Sequence, residues 1–170
     1  MKSRKNIVFL GMMGSGKTSI GEIVSKKLSM DFIDTDQLIE KELNLKISEI
    51  FKDKGEEFFR VWEEKITLSA LKKDKIVISL GGGAFLNNKI RKEIITNHLS
   101  FWLKWSPEII IKRIKKSIKR PIAYNLTINE LNELIKNRSK IYSKAMYNIN
   151  CDNLTKKEVV KKIINIYETN

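Results

Sequence analysis

The sequence predicts an α/β chain: a doubly wound, five-stranded parallel sheet with helices on both faces. Three observations carry that prediction. Short apolar runs alternate with amphipathic segments along the whole chain. The runs are apolar on both faces, as strands buried between two helix layers must be. A glycine loop joins the first run to the first amphipathic segment, where doubly wound folds open their ligand crevice.

The first strand is expected over 5–10 (KNIVFL), followed by Gly11-Met12-Met13-Gly14-Ser15-Gly16-Lys17-Thr18 and a helix over 18–29. Strand, loop and helix together fit G-x-x-x-x-G-K-[ST], the phosphate-binding loop, and outweigh the alternative of a chance glycine turn. Gly14 and Gly16 let the backbone turn so that successive N–H groups converge on an anion. The helix N-terminus adds its positive dipole end. Lys17 supplies a cation for the outer phosphates, and the Thr18 hydroxyl can ligate Mg²⁺. A nucleoside triphosphate is therefore the expected ligand.

The next strand spans 32–34, with helices over 37–43, 48–52 and 56–73 after it. A third strand over 75–80 leads to a helix over 88–97, and a fourth over 99–104 to a helix over 107–117. Ser106 and Pro107 open that last helix as a cap and an N1 proline. A helix over 128–146, a strand over 147–151 and a helix over 156–168 complete the order. Two stretches break the alternation: residues 35–55 hold short helices only, and residues 116–127 are basic and irregular. In a phosphotransferase these positions suit a substrate-holding insert and a mobile lid.

A chain of 170 residues, 42% apolar, is expected to be one globular domain. No apolar run approaches the roughly 20 residues that span a bilayer. The basic start MKSRK precedes an apolar run too short for a signal peptide, and cleavage there would destroy the glycine loop, so no targeting segment is expected. The single cysteine, Cys151, has no internal partner and points to a reducing cytoplasm. The net charge of +13 has three readings: nucleic-acid binding, attraction of anionic substrates, or a compositional bias towards Lys, Ile and Asn. The lysines are spread over nearly every helix.

Asp34-Thr35-Asp36 ends the second strand, where two carboxylates diverge to serve a metal shell and a substrate hydroxyl, or simply to cap a helix. Gly81-Gly82-Gly83 after the third strand permits close backbone approach to a ligand, or a tight turn. That strand carries no terminal acid, so Asp34 is the better candidate for the metal shell. Arg60 lies in Phe58-Phe59-Arg60-Val61-Trp62-Glu63-Glu64 on a predicted amphipathic helix. It suits a solvated helix face, an ion pair with Glu56 or Glu64, or a two-pronged clamp on a carboxylate. Arg113, Arg120 and Arg138 pose the same choice. His98 reads as structural, and Cys151, Trp102 and Trp105 as packing residues.

Together these blocks resemble the shikimate kinases: GMMGSGKT, DTD, FRVWEE, SLGGG, Lys119-Arg120-Pro121, and Arg138-Ser139-Lys140-Ile141-Tyr142. The resemblance covers nearly the whole chain, and the spacings between blocks agree. It implies a single P-loop kinase domain over 1–170, with a substrate-binding insert over 35–63 and a lid over 114–127. The implied reaction is ATP-dependent phosphorylation of the 3-hydroxyl of shikimate, in aromatic amino-acid biosynthesis, with Mg²⁺ as cofactor. Gly14, Ser15, Gly16, Lys17, Thr18 and Ser19 would wrap the phosphates, with Thr18 on Mg²⁺ directly and Asp34 reaching it through water. Asp36 would hold shikimate hydroxyls and is the candidate base. Arg60 and Arg138 would clamp the carboxylate, with Gly81, Gly82 and Gly83 closing that pocket. Arg120 would come from the lid onto the phosphates, and Arg113 would lie near the nucleotide. The expected partners are ATP and shikimate, with no specific nucleic acid and no membrane, and the chain is expected to be a monomer. The lid reads Arg120-Pro121-Ile122-Ala123 where the family usually has Arg-Pro-Leu-Leu, and residues 152–155 lack a strong match to the family's adenine loop.

Rival readings are another small-molecule P-loop kinase, a nucleotide-regulated nucleic-acid-binding protein, and a noncatalytic homologue. The last should have lost Lys17, Asp36 or Arg60, and all three are present.

Overall fold

In the computed structural model the described residues are 6–116 and 126–169. Five parallel strands form one sheet in the order β2-β3-β1-β4-β5. They are β1 (Ile7–Leu10), β2 (Asp31–Asp34), β3 (Ile76–Ser79), β4 (Leu99–Lys104) and β5 (Tyr147–Asn150). The helices are α1 (Lys17–Leu28), α2 (Thr35–Leu43), α3 (Ile47–Asp53), α4 (Gly55–Leu71), α5 (Asn88–Asn97), α6 (Pro107–Lys115), α7 (Ile128–Tyr142) and α8 (Lys156–Glu168). None of these is long and apolar enough to cross a membrane.

Period-two alternation sorts each central strand between two cores. Ile7 and Phe9 of β1 pack with Val77, Phe101 and Leu103 under α1 and α8. Val8 and Leu10 pack with Ile78, Leu80 and Trp102 under α4, α5, α6 and α7. A third, smaller core lies apart from these: Ile39, Ile50, Phe59 and Ile66 close over one another within α2, α3 and α4.

The edge strands depart from the expected two-sided burial. Asp31 of β2 is exposed, and in β5 only Ile149 is buried, because β2 and β5 have a neighbour on one side only. Element ends also shift for local reasons. β1 starts at Ile7 because Asn6 turns its side chain across the chain ends, donating to the Leu71 and Lys73 carbonyls and accepting from the Ile76 amide. The same contacts end α4 at Leu71, short of residue 73. α2 starts at Thr35, two residues earlier than expected, because Asp34 caps it. α7 stops at Tyr142 rather than 146, as Lys144 and Ala145 switch to i→i−3 bonds. Ser106 occupies the cap position of α6, but its side chain makes no capping bond; its amide donates to Asp152 instead. A 3₁₀ turn over Ala84–Leu86, absent from the sequence reading, follows the glycine triplet. Residues 117–125, including Arg120 and most of the expected lid, lie outside the described residues, as does residue 5.

The strand order makes the site. The connection from β1 leads towards the β2 edge, and that from β3 crosses β1 to β4. The loops after β1 and β3 therefore diverge from neighbouring strands and leave a crevice at their carboxyl ends.

Candidate active site

The loop after β1 uses its glycines as the motif requires. Gly11, Gly14 and Gly16 have φ of 140°, 84° and 90°, a region that side chains rarely enter. Ser15 N–H closes onto the Met12 carbonyl at 3.1 Å, while the Gly14 and Gly16 amides meet no acceptor among the described residues. Gly16 is the N-cap of α1 and offers no side chain to its first turn. These free donors and the helix end make an anion cradle. Lys17 is buried and donates to the Gly11 and Met12 carbonyls at 2.9 and 3.0 Å, which folds its cation back over the cradle. Ser15 is buried, with its hydroxyl unpartnered among the described residues, and Ser19 is half-buried in the first turn of α1.

Asp34 divides its two oxygens among three donors. Its Oδ1 accepts from the Asp36 and Gln37 amides at 3.1 and 3.2 Å, capping α2. Its Oδ2 accepts from the Thr18 hydroxyl at 2.7 Å. The cap reading holds at Asp34, and the same carboxylate also meets the Thr18 hydroxyl. A hydroxyl and a carboxylate converge beside the cradle, a hard-oxygen pair of the kind Mg²⁺ accepts when phosphates and water complete its shell.

Beyond Asp34, each glycine of the triplet faces a different charged side chain. A Cβ on Gly81 would overlap Asp36 Oδ1 and stand 3.1 Å from Glu63 Oε1. One on Gly83 would overlap the Arg60 guanidinium, and one on Gly82 would lie 3.5 Å from Arg138 Nη1. The Gly81 amide donates to Thr35 Oγ1 at 2.9 Å, which pins the triplet to the start of α2. The triplet does form a tight turn, closed by the Ala84 amide on the Gly81 carbonyl at 3.2 Å, and its glycines also give room to the Asp36 and Arg60 side chains.

The charges around this pocket shape one another. Asp36 has its pKa raised to about 7, first by burial, then by repulsion from Asp34, Glu63 and Glu40, with Lys17 opposing. Arg60 donates to Glu63 Oε2 at 2.7 Å and to Glu56 Oε1 at 2.9 and 3.1 Å. Burial alone would lower its pKa, but Glu63 and Glu56 outweigh that and raise it. Glu63 is pushed upward by burial, against the pull of Arg60 and Arg138. Glu64, the other partner considered for Arg60, instead holds Lys89 and Asn87. Arg138 differs from Arg60: its Nε and Nη1 are buried without a hydrogen-bond partner among the described residues. Two guanidiniums, one braced by carboxylates and one with two nitrogens unpartnered among the described residues, thus stand over the glycine triplet, an arrangement suited to a carboxylate.

Three residues of this region escaped the sequence reading. Glu63 is 2% exposed and braces Arg60; its place on one stripe with Phe59, Ile66, Thr67 and Ala70 was the available signal. Tyr142 lies one turn after Arg138, is buried, and donates its hydroxyl to the Gly82 carbonyl; burial raises its pKa to about 12. Trp105 is more than a packing residue. Its Nε1 donates to the Ser15 carbonyl at 2.9 Å, and Arg113 lies 3.8 Å over its ring while donating to the Gly14 carbonyl at 3.1 Å. Trp102 and Cys151 are core residues, as expected.

The shikimate kinase family model matches residues 13–168. A shikimate kinase of Thermodesulfovibrio yellowstonii is 41% identical over 165 residues, covering 96% of this chain and 95% of its own. A solved shikimate kinase from Acinetobacter baumannii, in complex with shikimate, superposes with a TM-score of 0.91 at 26% identity, covering 99% of this chain and 95% of that one. A gluconokinase from Sinorhizobium meliloti shares the fold, with a TM-score of 0.61 at 15% identity over 99% and 94% of the two chains.

Proposed function

We infer that this chain, which belongs to the shikimate kinase family, transfers the γ-phosphoryl group of ATP to the 3-hydroxyl of shikimate. The observation that carries this reading is the glycine triplet: it sets Asp36, Arg60 and Arg138 around one pocket, next to the phosphate cradle.

Phosphoryl transfer asks for positioning and charge neutralisation more than covalent help. The amides of Gly14 to Thr18 hold the donor phosphates, with Ser19 completing the turn. Lys17 leaves the Gly11 and Met12 carbonyls for the transferred group. Arg60 and Arg138 hold the carboxylate of shikimate, and the backbone of Gly81, Gly82 and Gly83 lets the ring approach. Asp36 binds the hydroxyl that attacks and takes its proton late. A carboxylate with a pKa near 7 is matched to that task. Arg113 stands on the nucleotide side of the cradle. Arg120 is assigned to the lid side of the phosphates on family resemblance.

Thr18 and Asp34 fit Mg²⁺, the hydroxyl as a direct ligand and the carboxylate through water. When bound, the ion would neutralise charge on the phosphate oxygens. The insert over 35–63 and a lid over 114–127 would enclose shikimate and exclude water. The lone cysteine suits a reducing cytoplasm as the setting, and the working unit is taken as the monomer.

A coupled ADP-release assay with shikimate, gluconate and nucleoside monophosphates tests the assignment. Shikimate alone should support turnover. Lys17→Met should remove it at a cost of about 3–4 kcal/mol in transition-state stabilisation, with the fold intact. Preference for gluconate or a nucleotide, or near wild-type turnover in Lys17→Met, would overturn it.

A further inference from the structure

The glycine triplet is held at two points. At its start the Gly81 amide donates to Thr35 Oγ1 at 2.9 Å. At its centre the Gly82 carbonyl accepts from the Tyr142 hydroxyl. Tyr142 is 1% exposed and packs in the core with Met12 and with Trp102, whose ring centroid lies 5.9 Å from its own. The hydroxyl also stands 3.9 Å from Met12 Sδ, but sulfur is the weaker acceptor and the carbonyl takes the proton. Burial raises the phenol pKa to about 12, so the group remains a donor at neutral pH. The peptide bonds of the described residues are all trans. In a planar trans peptide the C=O and the N–H point opposite ways. With the Gly82 carbonyl turned into the core, the Gly83 amide is turned out of it. That amide meets no acceptor among the described residues. It stands beside two cations: the Arg60 guanidinium lies against Gly83, and Arg138 Nη1 lies 3.5 Å from where a Gly82 Cβ would be.

We propose that Tyr142 is a positioning residue for the substrate carboxylate: its hydroxyl fixes the Gly82–Gly83 peptide so that the Gly83 amide donates beside Arg60 and Arg138. This rests on the reading that the pocket holds shikimate. The phenol touches no substrate. It acts through one peptide plane, and its loss lets that plane rotate and takes the amide away from the carboxylate. The cost therefore falls on ligands that carry the carboxylate and spares those that lack it.

Tyr142→Phe keeps the ring against Met12 and Trp102 and deletes only the hydroxyl. One hydrogen bond of this kind corresponds to about a 3- to 10-fold change in affinity. Shikimate should bind Tyr142→Phe more weakly by that factor in calorimetry, with ATP affinity unchanged. Shikimyl alcohol, whose carboxylate is reduced to a hydroxymethyl group, should bind the variant and the wild type equally. In steady state the KM for shikimate should rise by the same factor while kcat holds. A measurement on the wild type carries the test if Tyr142→Phe folds poorly. With 15N-labelled glycine, the Gly83 amide resonance should move when shikimate is added and stay in place with the alcohol. An equal loss for shikimate and the alcohol, or a loss for ATP as well, would make Tyr142 a packing residue and overturn the proposal. Unchanged shikimate binding, or a Gly83 amide that ignores shikimate, would also overturn it. Failure of the wild-type chain to bind shikimate would sink the shikimate reading and the proposal with it, and is distinguished from the other outcomes because it needs no variant.

Discussion

Gly81 and Asp36 are packed so closely that a single methyl group on the glycine would occupy the space of Asp36 Oδ1. The restriction is steric and comes from outside the backbone. Gly81→Ala should therefore fold normally and displace the Asp36 carboxylate. Misplacing a reacting group by about 1 Å costs on the order of 100-fold in rate. Steady-state turnover of Gly81→Ala with shikimate should fall by that order, with ATP affinity retained; wild-type turnover would remove Asp36 from the reaction centre.

Arg60 and Arg138 should separate in a combined stability and binding experiment. Each replacement by Ala should weaken shikimate binding by roughly 10- to 100-fold, from about 1.5–3 kcal/mol per charged hydrogen bond, and leave ATP binding near wild type. Arg60→Ala also strands the buried Glu63, so it should lower the unfolding free energy by about 1–3 kcal/mol, reduced from a fully buried pair because Arg60 is 35% exposed. Arg138→Ala removes a guanidinium whose Nε and Nη1 lack partners among the described residues, though it attracts Glu63 and Tyr142, so it should cost less stability than Arg60→Ala. Equal destabilisation by both would contradict the difference between the two arginines.

Asp36 gives two pH signatures. As a base it must be ionised, so kcat/KM should climb through about pH 7 in the wild type, and Asp36→Asn should lose that limb along with about 100-fold of turnover. The stability signature follows from linkage. The folded-state pKa lies above the unfolded value of 3.8, so the native state binds the extra proton between the two. That contribution is full below pH 3.8 and is lost as the pH rises through about 7. The stability of Asp36→Asn relative to wild type should therefore increase from pH 4 to pH 8, read by denaturant titration at each pH. A flat difference would place Asp36 in solvent.

Asp34→Asn isolates charge from architecture. Asparagine caps a helix as well as aspartate does, so α2 should keep its start, while the Thr18 hydroxyl loses a charged acceptor. Its turnover defect should shrink as Mg²⁺ is raised, whereas the defect of Asp36→Asn should not. Rescue of Asp36→Asn with Asp34→Asn unresponsive would exchange the roles of the two acids.

The parts of this site readable in the sequence are those where local backbone chemistry decides. The phosphate loop is legible because only glycine accepts the φ of 84° and 90° at Gly14 and Gly16. Asp34 is legible as a cap because that role acts within a few residues, whereas its contact with Thr18 spans β3, which lies between β1 and β2. What stayed hidden depends on which side of a helix faces inward. Glu63 and Glu64 are neighbours in sequence, yet α4 sends the first to Arg60 and the second to Lys89. Trp105 looked like core because its area suggests packing, but a half-buried indole still has an N–H to place. The edge strands β2 and β5 were misjudged because strand order, which decides who has two neighbours, is not written in any one segment.

The small core of Ile39, Ile50, Phe59 and Ile66 gives residues of the insert a cohesion of their own. Its helices are nonetheless tied to the sheet: the Thr35 hydroxyl at the start of α2 accepts from the Gly81 amide, and Ala70 and Leu71 of α4 lie in the main core. Asp36 and Arg60 stand on α2 and α4, whereas Arg138 stands on α7. A change of packing in the small core would therefore be passed along α4 to the spacing of Arg60 and Arg138, the two arginines of the proposed clamp.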